Sequence, residues 1–181
     1  MNKQHSMKKS SFIKNSLERK LVIIALFFAL LWIIGSVYAT ASIPFSPYEY
    51  ENELLEETIE VLGTLGMFGF FFAVLLYPSL RLIKMKKSPI RSFVQPIFKY
   101  VRLWHVPIAI TTIGITFVHG WIALKEQFVF DDERFTGTIA FSLLFLLGLT
   151  GMLRYKRLDK KMHLLIGGLF SIVFAIHVLF S

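Results

Sequence analysis

The chain has 181 residues, 55% of them hydrophobic and 15% aromatic, and a mean hydropathy of +0.60. A soluble domain does not need that much apolar surface to fill its core, so lipid is the expected solvent and a single membrane domain the expected organisation. The absence of cysteine excludes disulfides, iron–sulfur clusters, thioether-linked haem and thiolate catalysis, and the formal charge of +8 sits in short segments between apolar runs, so no nucleic-acid partner is expected.

Residues 1–20 form a basic tail with Lys3, Lys8, Lys9, Lys14, Arg19 and Lys20, and residues 21–181 form the membrane domain. About 20 apolar residues carry a helix across the hydrocarbon layer. Five runs meet that length: Leu21 to Tyr38, Ile59 to Leu80, Leu103 to Leu124, Gly137 to Leu153 and Met162 to Phe180. Only helices and closed barrels satisfy their backbone in lipid, so the chain reads as an all-α bundle of five transmembrane helices.

The first run ends at Ala39, Thr40 and Ala41, a small-residue site of the kind found after a cleaved signal peptide. Its long apolar stretch and long basic lead favour a retained anchor, and a mature chain starting near Ser42 would overturn that reading. The next loop is acidic, with Glu49, Glu51, Glu53, Glu56 and Glu57. Within the second run, Gly63, Gly66 and Gly69 have the wrong spacing for a dinucleotide-binding loop and read as a helix-packing face. A basic loop follows, with Arg81, Lys84, Lys86, Lys87, Arg91, Lys99 and Arg102. Its stretch from Lys84 to Arg102, interleaved with Phe93, Ile97, Phe98 and Val101, suits either the inner membrane surface or a donor protein. The third loop holds Asp131, Asp132 and Glu133, and the fourth Arg154, Lys156, Arg157, Lys160 and Lys161. Basic loops stay cytoplasmic, which puts the N-terminus inside and Ser181 outside in a multi-pass protein of a cell membrane, of the bacterial cytoplasmic type.

Four of the five histidines lie in the third and fifth runs, as His105, His119, His163 and His177, while His5 is a solvated residue of the tail. Ionisable groups inside spans are costly to bury and call for a cavity, a cofactor or a partner. Both pairs are separated by fourteen residues, which on a helix is a rise of about 21 Å and a return to within about 40° of the starting direction. The two runs are parallel because one run separates them. His105 therefore lines up with His163 at the inner end and His119 with His177 at the outer end. Facing imidazoles at two depths suit two b-type haems, each with both axial positions filled by neutral histidine. Around them, Gly114, Gly120, Gly167 and Gly168 would not obstruct a flat macrocycle, although helix packing is the preferred role for them. Pro107 removes a helical hydrogen bond near His105, with Thr111 and Thr112 placed to bond the freed carbonyls or to donate hydrogen bonds in the interior. Trp104 and Trp121 read as interfacial belt residues, and Arg102, Arg154, Lys160 and Lys161 as inner-face charges within reach of haem propionates.

Two other readings compete. The histidines suit a transition-metal or proton transporter, although no Asp or Glu lies well inside any run to complete such a site. They also suit a non-redox anchor or assembly subunit whose imidazoles only hydrogen-bond across helices.

The segments Arg102-Leu-Trp-His105 with Val118-His119-Gly120, and Lys161-Met-His163 with Ile176-His177-Val178, resemble the ferric-reductase-like transmembrane domain. That family includes the haem-bearing core of ferric reductases, NADPH oxidases and the haem subunit of bacterial methionine sulfoxide reductase systems. The resemblance covers residues 55 to 180. It implies an inner haem on His105 and His163, an outer haem on His119 and His177, and transmembrane electron transfer as the activity. Members commonly have a sixth span leading to a flavin and nicotinamide domain, whereas five runs are found here. With no flavin or NAD(P)H site in the chain, the expected partners besides lipid are a separate donor, flavoprotein or quinol, and an extracytoplasmic acceptor.

Overall fold

The computed structural model describes residues 13, 15–45, 53–84, 91–126, 131–155 and 161–180. His5, most of the basic tail and parts of every loop lie outside the described residues. Six helices appear among the described residues, which include no strand: α1 (Ser16–Ala39), α2 (Glu53–Val74), α3 (Leu76–Lys84), α4 (Arg91–Glu126), α5 (Asp132–Tyr155) and α6 (Lys161–Phe180). With α2 and α3 taken as one span, five helices are long and apolar enough to cross a membrane.

Local chemistry sets the helix ends. Asn15 caps α1 by accepting the Leu17 N–H at 3.0 Å. Pro78 has no N–H to give the Val74 carbonyl, and α2 stops at Val74 before α3 resumes at Leu76. Asp131 caps α5, its carboxylate accepting the Arg134 N–H at 2.8 Å while its carbonyl accepts the Phe135 N–H.

The runs read from hydropathy are helical apart from Leu75, and all begin ahead of the expected residue, α2 and α4 by the most. Glu53, Glu56 and Glu57 belong to α2 instead of a loop, because carboxylates at a helix N-terminus are favoured by the peptide dipoles. Residues from Arg91 to Arg102 belong to the same continuous helix as His105 and His119, running through Pro96 and Pro107. At 36 residues, α4 is about 54 Å long, well over the hydrocarbon thickness. Thr111 does not bond the carbonyl that Pro107 frees, at Leu103. Its hydroxyl donates to the Pro107 carbonyl at 3.1 Å, and Thr112 is buried beside Gly69 on α2.

Packing centres on α4. Antiparallel to it, α2 lies close through a glycine ladder, Gly63 on His119, Gly66 on Thr116 and Gly69 on Thr112, which is the packing face expected of those glycines. Helix α1 packs on another side, with Ala29 against Gly114, and α3 on the Arg91 end. Helix α5 joins α4 to α6, and Phe70 of α2 reaches α6 at Phe170 and Phe174, ring centroids 5.1 and 4.7 Å away. Helices α2, α4, α5 and α6 thus close a ring with α4 and α6 on a diagonal, their backbones not packed on each other. The outer surface presents Phe27, Ile34, Phe68, Leu146 and Leu179, the apolar face that lipid requires.

At the end of α1 the chain is locked down. Trp121 donates its indole N–H to the buried Thr40 hydroxyl at 2.9 Å, and that hydroxyl donates to the Ser36 carbonyl at 2.8 Å. Lys125, only 5% exposed, donates to the Ile43 carbonyl at 2.7 Å and lies 3.8 Å from the Phe45 ring centroid. Within the Ala39-Thr40-Ala41 segment Thr40 is thus buried against α4, while Ala39 and Ala41 are exposed. Trp104 is 41% exposed as a belt residue would be, whereas Trp121 has this internal task.

Candidate haem-ligand site

The four histidines occupy the diagonal helices, His105 and His119 on α4 and His163 and His177 on α6, all half-buried. Between the two levels of each stripe lies an apolar layer. Phe170, seven residues after His163 and seven before His177 by sequence, is 3% exposed and stacks with Phe174, while Phe70, Ile113 and Leu147 complete the packing.

Each described imidazole contact comes from a neighbouring helix of the ring. His119 Nδ1 lies 2.9 Å from the Ile59 carbonyl oxygen on α2. A carbonyl can only accept, so Nδ1 carries a proton, which in a neutral ring leaves the lone pair on Nε2. On α5, Thr136 Oγ1 lies 3.3 Å from His177 Nδ1, and Thr150 Oγ1 lies 3.4 Å from His163 Nδ1. These hydroxyl protons are already directed at backbone, Thr136 to Asp132 at 2.9 Å and Thr150 to Leu146 at 3.0 Å. The threonine oxygens are left to accept, which again places the imidazole proton on Nδ1.

Glycine makes these approaches possible. A Cβ at Gly63 would stand 3.2 Å from His119 Cε1, one at Gly137 3.0 Å from His177 Cε1, and one at Gly151 3.4 Å from His163 Cε1. Three of the four rings therefore lie edge-on against a bare stretch of neighbouring backbone. The glycines singled out from sequence do less here. Gly114 faces Ala29 of α1, Gly167 faces Leu147 of α5, and Gly120 and Gly168 have nothing within 4 Å of a built Cβ. By helical geometry Gly168 lies almost opposite Phe170, away from the histidine stripe.

The sequence reading missed Thr136, Gly137, Thr150 and Gly151, although a signal was present. The dipeptide Thr-Gly recurs on α5 at a spacing of fourteen, the same as between His163 and His177 on antiparallel α6. Two antiparallel helices bearing the same spacing bring both pairs into register at once. Ile59 acts through its carbonyl, which no side-chain pattern announces.

Among the described residues, no group of three or more His, Asp or Glu side chains converges to chelate a bare ion. A porphyrin iron asks less, since four of its positions are filled by the macrocycle and two imidazoles complete it. Histidines on diagonal helices, with His119, His163 and His177 held at Nδ1, fit that requirement. Arg102 is exposed one turn before His105 on α4, and the side chain of Arg154 and residues Lys156 to Lys160 lie outside the described set. Set against protein-family models, curated proteins and solved structures, the chain matches none of them.

Proposed function

We propose that the chain is a multi-pass membrane carrier of two b-type haems, ligated by His105 with His163 on the inner side and His119 with His177 on the outer. In this reading it belongs with the ferric-reductase-like transmembrane proteins. The observation that carries it is the set of Nδ1 contacts at three of the four: His119, His163 and His177, each tied at Nδ1 to an acceptor oxygen, present Nε2 in the protonation state of an axial ligand. When bound, haem b supplies reversible one-electron chemistry. The protein's residues orient the rings, keep water from the interior with the Phe70, Phe170 and Phe174 layer, and hold the two levels fourteen residues apart.

The alternating loop charges support a cytoplasmic N-terminus and an extracytoplasmic Ser181, in a cell membrane of bacterial type. Electrons enter from a separate flavoprotein or quinol on the cytoplasmic side or in the bilayer and leave to an extracytoplasmic acceptor. The purified protein should show a reduced-minus-oxidised b-type spectrum with about two haems per chain, a stoichiometry set by the two pairs of axial ligands. No b-type absorbance after expression with ample haem would defeat the proposal. Metal uptake into vesicles without redox change would instead support a transporter, and unchanged spectra in His119→Ala and His177→Ala an anchor.

A further inference from the structure

The repeated Thr-Gly pairs of α5 are more than packing. We infer that Thr136 and Thr150 are positioning residues that fix the tautomer of His177 and His163 and tune any iron those rings bind. This rests on the haem reading for its redox half alone; the tautomer half stands on the chain's own hydrogen bonds.

Each hydroxyl sits at the same place relative to its ring, 3.3 Å from Nδ1 of His177 and 3.4 Å from Nδ1 of His163, and each has a glycine as its next residue against the ring edge. A threonine hydroxyl has one proton. Thr150 directs its proton at the Leu146 and Leu147 carbonyls, at 3.0 and 3.1 Å, and Thr136 directs its own at Asp132. What remains toward the imidazole is oxygen lone pair. The ring answers with Nδ1–H, and the proton is thereby excluded from Nε2. A donor–acceptor bond at Nδ1 also raises the basicity of Nε2, which stabilises the ferric more than the ferrous state of a coordinated iron. One helix thus determines the chemistry of two rings on its neighbour, at both depths, with a motif that repeats at the ligands' own interval.

The test uses the full chain in two states. In the haem-free protein, imidazole 15N shifts should report the proton on Nδ1 of both His163 and His177. Thr136→Val should move His177 alone toward the Nε2–H tautomer and Thr150→Val should move His163 alone, while Thr→Ser at either site restores the wild-type spectrum. Alanine at either position removes the acceptor without the valine methyl groups, so a packing defect peculiar to valine is separable. In the haem-loaded protein, each valine variant should weaken haem binding on the order of 10–100-fold, the usual effect of losing an outer hydrogen bond to a histidine ligand, and raise the midpoint potential of the haem that remains. Unshifted 15N signals in both valine and both alanine variants would overturn the inference. Failure of the haem reading has a different signature, no b-type absorbance in the wild type, and it leaves the nitrogen spectra to decide the tautomer.

Discussion

Alanine in place of the three ring-facing glycines tests how tightly the histidines are held, because the structure ranks the three. At Gly137 the new Cβ would stand 3.0 Å from Cε1 and 3.4 Å from Nε2 of His177. Carbon atoms in contact settle at about 3.5–4.0 Å, so the ring must retreat by roughly half an ångström or more. Its bond to Thr136 is already 3.3 Å long, and the retreat breaks it. A lost hydrogen bond costs about 0.5–1.5 kcal/mol and overpacking about 1–3 kcal/mol. The gain from replacing a mid-helix glycine offsets up to about 1 kcal/mol. The net loss is about 1–3 kcal/mol, roughly 5- to 150-fold in an equilibrium constant. Gly151→Ala meets His163 at 3.4 Å, an ordinary contact, and should be neutral or stabilising by up to about 1 kcal/mol. Gly63→Ala, at 3.2 Å, falls between. Thermal unfolding in detergent, followed by helical circular dichroism and by haem absorbance, reads all three. Equal stability and equal haem retention in Gly137→Ala and Gly151→Ala would refute the claim that these glycines are ring seats.

Four further outcomes follow from particular contacts. His119→Ala and His177→Ala should each leave about one haem per chain with the inner site intact, as two separate bis-histidine sites require; pyridine haemochrome titration measures it. Thr40→Val leaves the Trp121 indole without its acceptor and should cost about 1–3 kcal/mol, seen as a lower unfolding midpoint. N-terminal sequencing of the mature protein should find α1 present, and a chain beginning near Ser42 would show that the helix is removed. Asp131 is held below its ordinary value of 3.8, first by accepting the Arg134 N–H and then by the Arg134 charge. The depressed folded-state value means that this cap's contribution is complete above the usual aspartate range and is lost as pH falls through the lower one. The Arg134 amide resonance should be constant from neutral pH to about 4 and shift only in stronger acid; movement near pH 6 would contradict the assignment.

The spans were legible because lipid exposure and length act on whole segments, and no local exception shortens a run of twenty apolar residues enough to hide it. Helix ends were less so. Hydropathy stops at a charge, but Glu53 and Arg91 are helical because a carboxylate suits an N-terminus and because Pro96 costs α4 one hydrogen bond without ending it. The histidines stood out through rarity and equal spacing. Their partners did not, since Thr and Gly are common in membrane helices and carry weight only once α5 is known to lie antiparallel against α6. The carbonyls of Ile59 and Ile43, which hold His119 and Lys125, belong to residues chosen for apolar side chains and leave no trace in the sequence.

On the proposed haem reading, the division of labour around the ring sets three of the four imidazoles before any cofactor arrives. If the ligand helices α4 and α6 held each other's histidines, the rings would hydrogen-bond across the gap and have to break those bonds to accept an iron. Here the holding is done from the side. Helix α2 supplies the Ile59 carbonyl and the Gly63 seat for a ring of α4, and α5 supplies Thr-Gly seats for both rings of α6. The hydrogen bonds use Nδ1, and the glycine seats are closest to Cε1 of each ring. Aromatic contact between α2 and α6 through Phe70, Phe170 and Phe174 fixes the diagonal at mid-depth, where neither histidine level lies. On the proposed haem reading, binding at the outer level, where both His119 and His177 are held, has little ordering left to oppose it, which is how a preorganised site converts interaction energy into affinity.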